Sequence, residues 1–168
     1  MENGSVVNIA IECLLAGTSD RDPEEWHHCR RVEKMCGMVA KELGWQPDDV
    51  ADLKLAALLH HMDRSHVPES ALAARVAAFL HHFAERTRRP EEPAGRSRSR
   101  DAQGADIIAV ADTFDCLVSG QRYRAPLSEA EAIKILHSDA ATVFEEATVE
   151  AFCRVHADGL NLSEGKAA

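Results

Sequence analysis

No C-x-x-C pair occurs in this chain. Its five cysteines stand at positions 13, 29, 36, 116 and 153, four of them inside apolar helical patterns. That excludes the paired-cysteine frameworks and reads as reduced core thiols of a cytosolic protein. Long apolar runs are absent too. No stretch approaches the roughly 18 residues that a membrane span needs, and the N-terminus lacks the basic flank and apolar stretch of a signal peptide, so a soluble cytoplasmic protein with no membrane partner is expected. Positive charge is in short supply: 19 Lys and Arg face 28 Asp and Glu, for a formal net charge of -9. An acidic surface repels a phosphate backbone, which argues against double-stranded nucleic acid as a partner. No segment alternates with period two for long and no internal repeat is visible, which leaves helices. With 168 residues, 45% of them hydrophobic, the chain has the apolar surface for one globular domain.

The helices can be placed from their punctuation. Val6 to Leu15 has helical character and ends at Gly17. Asp22-Pro23-Glu24-Glu25 puts an N-cap residue before a proline at the first helical position and an acid at the third, which starts a helix over about Pro23 to Leu43. Its core stripe takes Val32, Met35, Cys36, Met38, Val39 and Leu43. Pro47-Asp48-Asp49 opens the next, whose nearly continuous apolar interior (Val50, Leu53, Leu55, Ala56, Leu58, Leu59) marks it as the central helix. An alanine-rich helix from Pro68 toward Glu85 follows, then one over Ala105 to Leu117, one capped by Ser128 with Glu131, and a last over Phe144 to Val155. The expectation is an all-α bundle of about six to seven helices over residues 1-157, with a tail at 158-168. Six arginines between Arg86 and Arg100, mixed with Pro, Gly and Ser, read as a flexible basic loop over 86-104 that serves as a docking arm or a linker.

Seven of the nine histidines fall between His27 and His82, in clusters at His27-His28, His60-His61 with His66, and His81-His82. Imidazole clusters on separate helices are how a bundle builds a transition-metal site. His66, His137 and His156 read more simply as exposed or hydrogen-bonded side chains. Glu24 and His28 are four residues apart, so both project from one face of a helix, a spacing that suits ligands and also suits a surface pair. Asp112 lies within Ile107-Ile108-Ala109-Val110-Ala111. A carboxylate on so apolar a helix must be paired, hydrogen-bonded or bound to metal.

The strings His28-Cys29-Arg30-Arg31-Val32, Ala56-Ala57-Leu58-Leu59-His60-His61 with Val67-Pro68, and Ala109-Val110-Ala111-Asp112-Thr113-Phe114-Asp115 with Tyr123-Arg124 resemble, in order and wording, the HD-GYP group of the HD phosphohydrolase superfamily. The resemblance runs over about residues 5 to 157 with a gap. It implies an all-helical HD-like domain that holds metal ions, often iron or manganese, and hydrolyses the messenger cyclic di-GMP. By the same resemblance Glu24 and His28 are first-helix ligands, His60 is the histidine of the HD pair, His81 and His82 are the paired histidines before the GYP loop, and Asp112 is the closing carboxylate. Such an ion supplies an activated water and offsets charge developing on phosphoryl oxygens. Arg124, with Tyr123 beside it, and Arg64, where the group has a lysine, would then orient phosphate.

The departures are as informative. His61 stands where the group has its aspartate, and an imidazole offers one lone pair to one metal where a carboxylate can bridge two. Asp63, two residues on, is the candidate to restore that charge. Between Pro68 and His81 the chain is too short for the helices the group places there, Phe83 replaces a glutamate, and the GYP stretch is replaced by Arg86-Thr87-Arg88-Arg89-Pro90. Three functions follow from this: an altered domain that keeps one or two divalent ions, or a phosphate ligand, and works by interaction; an active phosphodiesterase acting on cyclic di-GMP or another phosphate ester; or a ligand-free scaffold. With the resemblance starting so near the first residue, no attached receiver or sensor domain is expected. Regulation is then expected from a protein partner or from homodimerisation.

Overall fold

Asp22 caps the first helix, its Oδ1 accepting a hydrogen bond from the Glu25 backbone N–H at 3.1 Å. In the computed structural model, which describes residues 22–61, 74–88, 99–119 and 125–159, six helices follow one another: α1 Pro23–Glu42, α2 Pro47–Leu59, α3 Ala74–Arg88, α4 Arg100–Ser119, α5 Glu129–Asp139 and α6 Glu146–Ala157. No strand occurs among the described residues, and no helix there is long and apolar enough to cross a membrane. The helix expected over Val6 to Leu15 lies outside the described residues.

Each start and stop has a local cause. Glu24 and Glu25 sit in the first turn of α1, where the helix dipole favours acids. The helix stops because Gly44 turns left-handed at φ 73, a conformation that costs glycine nothing, and the N–H groups of Leu43, Gly44 and Trp45 return to Val39, Lys41 and Ala40. Pro47 opens α2 without a side-chain cap. At α5 the expected capping box is complete: the Glu131 N–H donates to Ser128 Oγ and the Ser128 N–H donates to the Glu131 carboxylate at 2.9 Å.

Val32, Met35, Cys36 and Val39 of α1 are fully buried, whereas Met38 and Leu43 of the expected stripe remain partly exposed. The central helix is not α2, as its apolar interior suggested, but α4. It packs on α1, α3, α5 and α6, whereas α2 lies chiefly against α1 and α3. Every residue from Gly104 to Ala111 is buried. Leu55 and Leu58 keep one side of α2 open to solvent. Gly104 lets α3 and α4 touch, since a Cβ there would stand 2.5 Å from the Phe79 ring. The free thiols of Cys29 and Cys36 are buried in this core. Burial pushes the Cys29 thiol up to about 12 and Cys36 well above its usual value, so both stay protonated.

The two ends of the basic segment depart from their expected form. Arg86 and Arg88 continue α3, and Arg100 begins α4 five residues ahead of the expected start; residues 89–98 lie outside the described residues. Composition favoured a loop, but two of the arginines have tertiary partners. Arg100 lies over the Trp45 ring at 4.7 Å, and Arg86 pairs with Asp106, donates to the Val143 carbonyl and stacks on Phe144.

Asp106 is 2% exposed and also accepts from the Glu145 N–H at 3.0 Å, so it ties α3, α4 and the start of α6 together. Burial pushes its carboxyl up to about 6 against the opposing pull of Arg86, the Glu145 N–H and Thr148. A carboxyl that holds its proton more tightly folded than unfolded adds stability in acid and loses it as pH rises through about 6. Asp106→Ala should abolish that slope and destabilise the domain by about 2–3 kcal/mol, because it strips Arg86 and the Glu145 N–H of an acceptor at once. Urea unfolding at pH 5 and pH 7.5 measures both effects.

Candidate metal centre

Three helices deliver the site. Helix α1 presents His28, its side chain 12% exposed, α2 ends with His60 as its C-cap residue and His61 just beyond, and α4 brings Asp112 across from both. These four side chains each offer one ligand atom, all lying within 4.8 Å of one another. Two donors on one ion can be at most about 4.4 Å apart, twice a bond of about 2.2 Å. Closing the group around an ion therefore takes side-chain shifts of a few tenths of an ångström. The three imidazole rings already crowd together, with centroids 5.4 Å (His28–His60), 4.9 Å (His28–His61) and 4.2 Å (His60–His61) apart.

The hydrogen bonding fixes which nitrogens face inward. His60 Nδ1 sits 2.6 Å from the Ala57 carbonyl, which only accepts, so Nδ1 carries the hydrogen and Nε2 is left with its lone pair. His28 Nδ1 lies 2.7 Å from Asp115 Oδ2. Nε2 of His28 is 3.2 Å and Nε2 of His60 3.7 Å from Asp112 Oδ1, and both nitrogens are buried with no hydrogen-bond partner of acceptable geometry. Two buried imidazole nitrogens aimed at one carboxylate fit the part of ligands to a shared divalent ion. The donor set of three imidazoles and a carboxylate suits a divalent transition metal.

A buried charge network holds these groups in place. Asp115 is 1% exposed and receives Arg31 through two hydrogen bonds, Nε to Oδ1 at 2.6 Å and Nη2 to Oδ2 at 2.8 Å; the same Nη2 reaches Ser119 Oγ at 3.1 Å. Cys116 Sγ donates to Asp112 at 3.5 Å. Burial alone would lower the His28 pKa, but hydrogen bonds and charge from Asp112 and Asp115 outweigh it and lift the group to about 9. His61 goes the other way, down to about 4, because burial and the neighbouring His60 and His28 disfavour another charge. Burial would raise the carboxyls of Asp112 and Asp115, yet the histidines, with Arg31 on Asp115, hold both well below the usual carboxylate range.

Of the seven residues expected as ligands, His28, His60, His61 and Asp112 come together. Glu24 is exposed at the first turn of α1 and takes no part in the group. His81 is exposed and leans on Glu85 of its own helix at 3.4 Å, and His82 is half-buried beside it. Neither joins the four, because the buried face of α3 carries Val76, Phe79, Leu80 and Phe83. Phe83 fills the place where α3 meets the site, its ring edge-on to His60 at 5.4 Å. Asp63, Arg64, His66, Tyr123 and Arg124 lie outside the described residues. Asp115 and Arg31 were given no role in the sequence, although the signals were present: Asp115 is a further carboxylate of an apolar helix, one turn from Asp112, and Arg31 is one turn from His28.

No family model matches the chain. Three curated relatives do. The chain is 26% identical over 180 residues to a cyclic di-GMP phosphodiesterase of Thermotoga maritima, covering 86% of this chain and 48% of the relative. It is 25% identical over 179 residues to the cyclic di-GMP phosphodiesterase response regulator RpfG of Xanthomonas campestris pv. campestris, covering 86% and 45%. It is 24% identical over 162 residues to the 3'3'-cGAMP-specific phosphodiesterase 1 of Vibrio cholerae, covering 78% and 38%. The first alignment is longer than the 168 residues of this chain, so that relative carries residues that are missing here. The chain thus spans about half the length of the curated relatives it matches or less, and it is similar to cyclic dinucleotide phosphodiesterases at low identity.

Proposed function

We propose that this chain is a reduced HD-GYP-like domain that holds one divalent transition ion, iron or manganese, at His28, His60, His61 and Asp112. It acts in cyclic di-GMP-linked signalling by binding and interaction rather than by rapid hydrolysis. One observation carries this reading: four ligand atoms converge, but Asp112 is the single carboxylate among them. Three neutral imidazoles and one carboxylate satisfy one ion, and none of the imidazoles can bridge to a second.

The residues around the ion have separable tasks. Asp115, fixed by Arg31, orients His28. The Ala57 carbonyl orients His60. Phe83 keeps water from one side of the site. The phosphate of a cyclic dinucleotide would meet the ion from the open side, where His61 is 39% exposed, with Arg124 and Arg64 as the cationic side chains proposed to receive it. A partner protein or a second copy of the chain would read the ligand-bound state.

The second reading, an active phosphodiesterase, is favoured by the activities of the three relatives. Calorimetric titration of the metal-loaded protein with cyclic di-GMP, followed by chromatography of the mixture, separates the two. Binding with the nucleotide recovered intact supports the interaction reading. Rapid metal-dependent conversion to the linear dinucleotide establishes the enzyme instead.

A further inference from the structure

Besides the four ligands, one more carboxylate reaches the site, and it is not the one the spacing of α1 suggests. Glu25 Oε1 stands 3.5 Å from His61 Nδ1, both groups being a little over one-third exposed, while Glu24 points to solvent and has no place in the cluster. Glu25 is three residues before His28, so the two side chains rise from one face of α1, a turn apart. The contact completes a pattern. Nδ1 of His28 faces Asp115 at 2.7 Å, Nδ1 of His60 faces the Ala57 carbonyl at 2.6 Å, and Nδ1 of His61 faces Glu25. An oxygen behind each Nδ1 leaves three Nε2 atoms to converge, the arrangement in which an outer acceptor fixes both tautomer and ring orientation. The charges agree as well, since Asp112, Asp115 and Glu25 together balance Arg31 and a divalent ion.

We infer that Glu25, rather than Glu24, is the first-helix carboxylate that serves the centre, as the positioning residue that holds His61 by its Nδ1. The inference rests on the metal reading of the quartet. At 3.5 Å the contact is long for a hydrogen bond but within reach of an ion pair. The carboxylate behind Nδ1 would fix the ring and make it a stronger base toward an ion.

Cobalt(II) alone is the probe, titrated into the full chain and followed by visible absorption and calorimetry. Glu25→Gln should weaken binding about 10-fold, in the range that loss of an outer carboxylate costs, and should alter the absorption envelope. Glu24→Gln, which removes the same charge from the same helix turn, should bind as the unaltered protein does. In a His61→Ala background Glu25→Gln should have no further effect. Glu25 is on the surface, and the cap at Asp22 uses only its backbone N–H, so the variants should keep the unaltered circular dichroism. Unchanged affinity in Glu25→Gln, an equal loss in Glu24→Gln, or a loss that persists without His61 overturns the inference while leaving the metal site standing. No cobalt binding by the unaltered protein overturns the metal reading and the role of Glu25 with it.

Discussion

Asp112→Ala should abolish tight metal binding, with affinity falling by more than the roughly 10–100-fold that loss of an outer partner costs. Asp112 is the only ligand of the four that brings negative charge to a divalent ion, and both orphaned nitrogens, His28 Nε2 and His60 Nε2, are aimed at its Oδ1. Without it two of the three remaining donors lose the group that sets their approach. The metal-free fold should survive, because Asp112 is partly exposed on a helix whose buried anchors are Ile107, Ile108, Val110 and Phe114. Equilibrium dialysis against manganese with and without the substitution reads the loss, and circular dichroism verifies the fold. Unchanged affinity would mean that the ion sits elsewhere.

His61→Asp should change the stoichiometry rather than the affinity. The altered position lies next to two imidazoles and beside the open side of the site. A carboxylate there can bridge where an imidazole cannot, so a second ion should enter at millimolar manganese and the content should rise from one per chain toward two. The unaltered protein should hydrolyse cyclic di-GMP very slowly or not at all. Turnover should recover less than metal content does in His61→Asp, because Phe83 occupies the wall that α3 turns to the site and positioning of the phosphate matters as much as the ion. Brisk hydrolysis by the unaltered chain would show that His61 or Asp63 already fills the bridging role.

Three helix starts were legible in the sequence because their causes are local. Asp22-Pro23, Pro47 and the Ser128/Glu131 box act within a single turn, and these three helices begin at those signals. The two ends of the arginine segment are helical where a loop was expected, because their order comes from afar: Arg86 is held by Asp106 and Val143, and Arg100 by Trp45, partners that no local window contains. The rank of α2 and α4 was missed for the same reason, since a continuous apolar run does not say how many neighbours will cover it. Asp112 could be picked out because a carboxylate amid so apolar a run needs a partner. Glu24 and Glu25 differ by one residue, a rotation of about 100° on a helix, and only the packing of α1 on α2 decides which of them faces His61. His81 and His82 had the composition of ligands, but α3 turned Phe83 inward in their stead, as burial of the larger apolar side chain dictates.

Elemental analysis of the full chain, purified without added metal and again after incubation with iron(II) or manganese(II) and desalting, tests the centre most directly. One transition ion per chain, lost in His60→Ala and in Asp112→Ala, is the expected result. A metal content that stays near zero after incubation, or one that neither substitution changes, would contradict it.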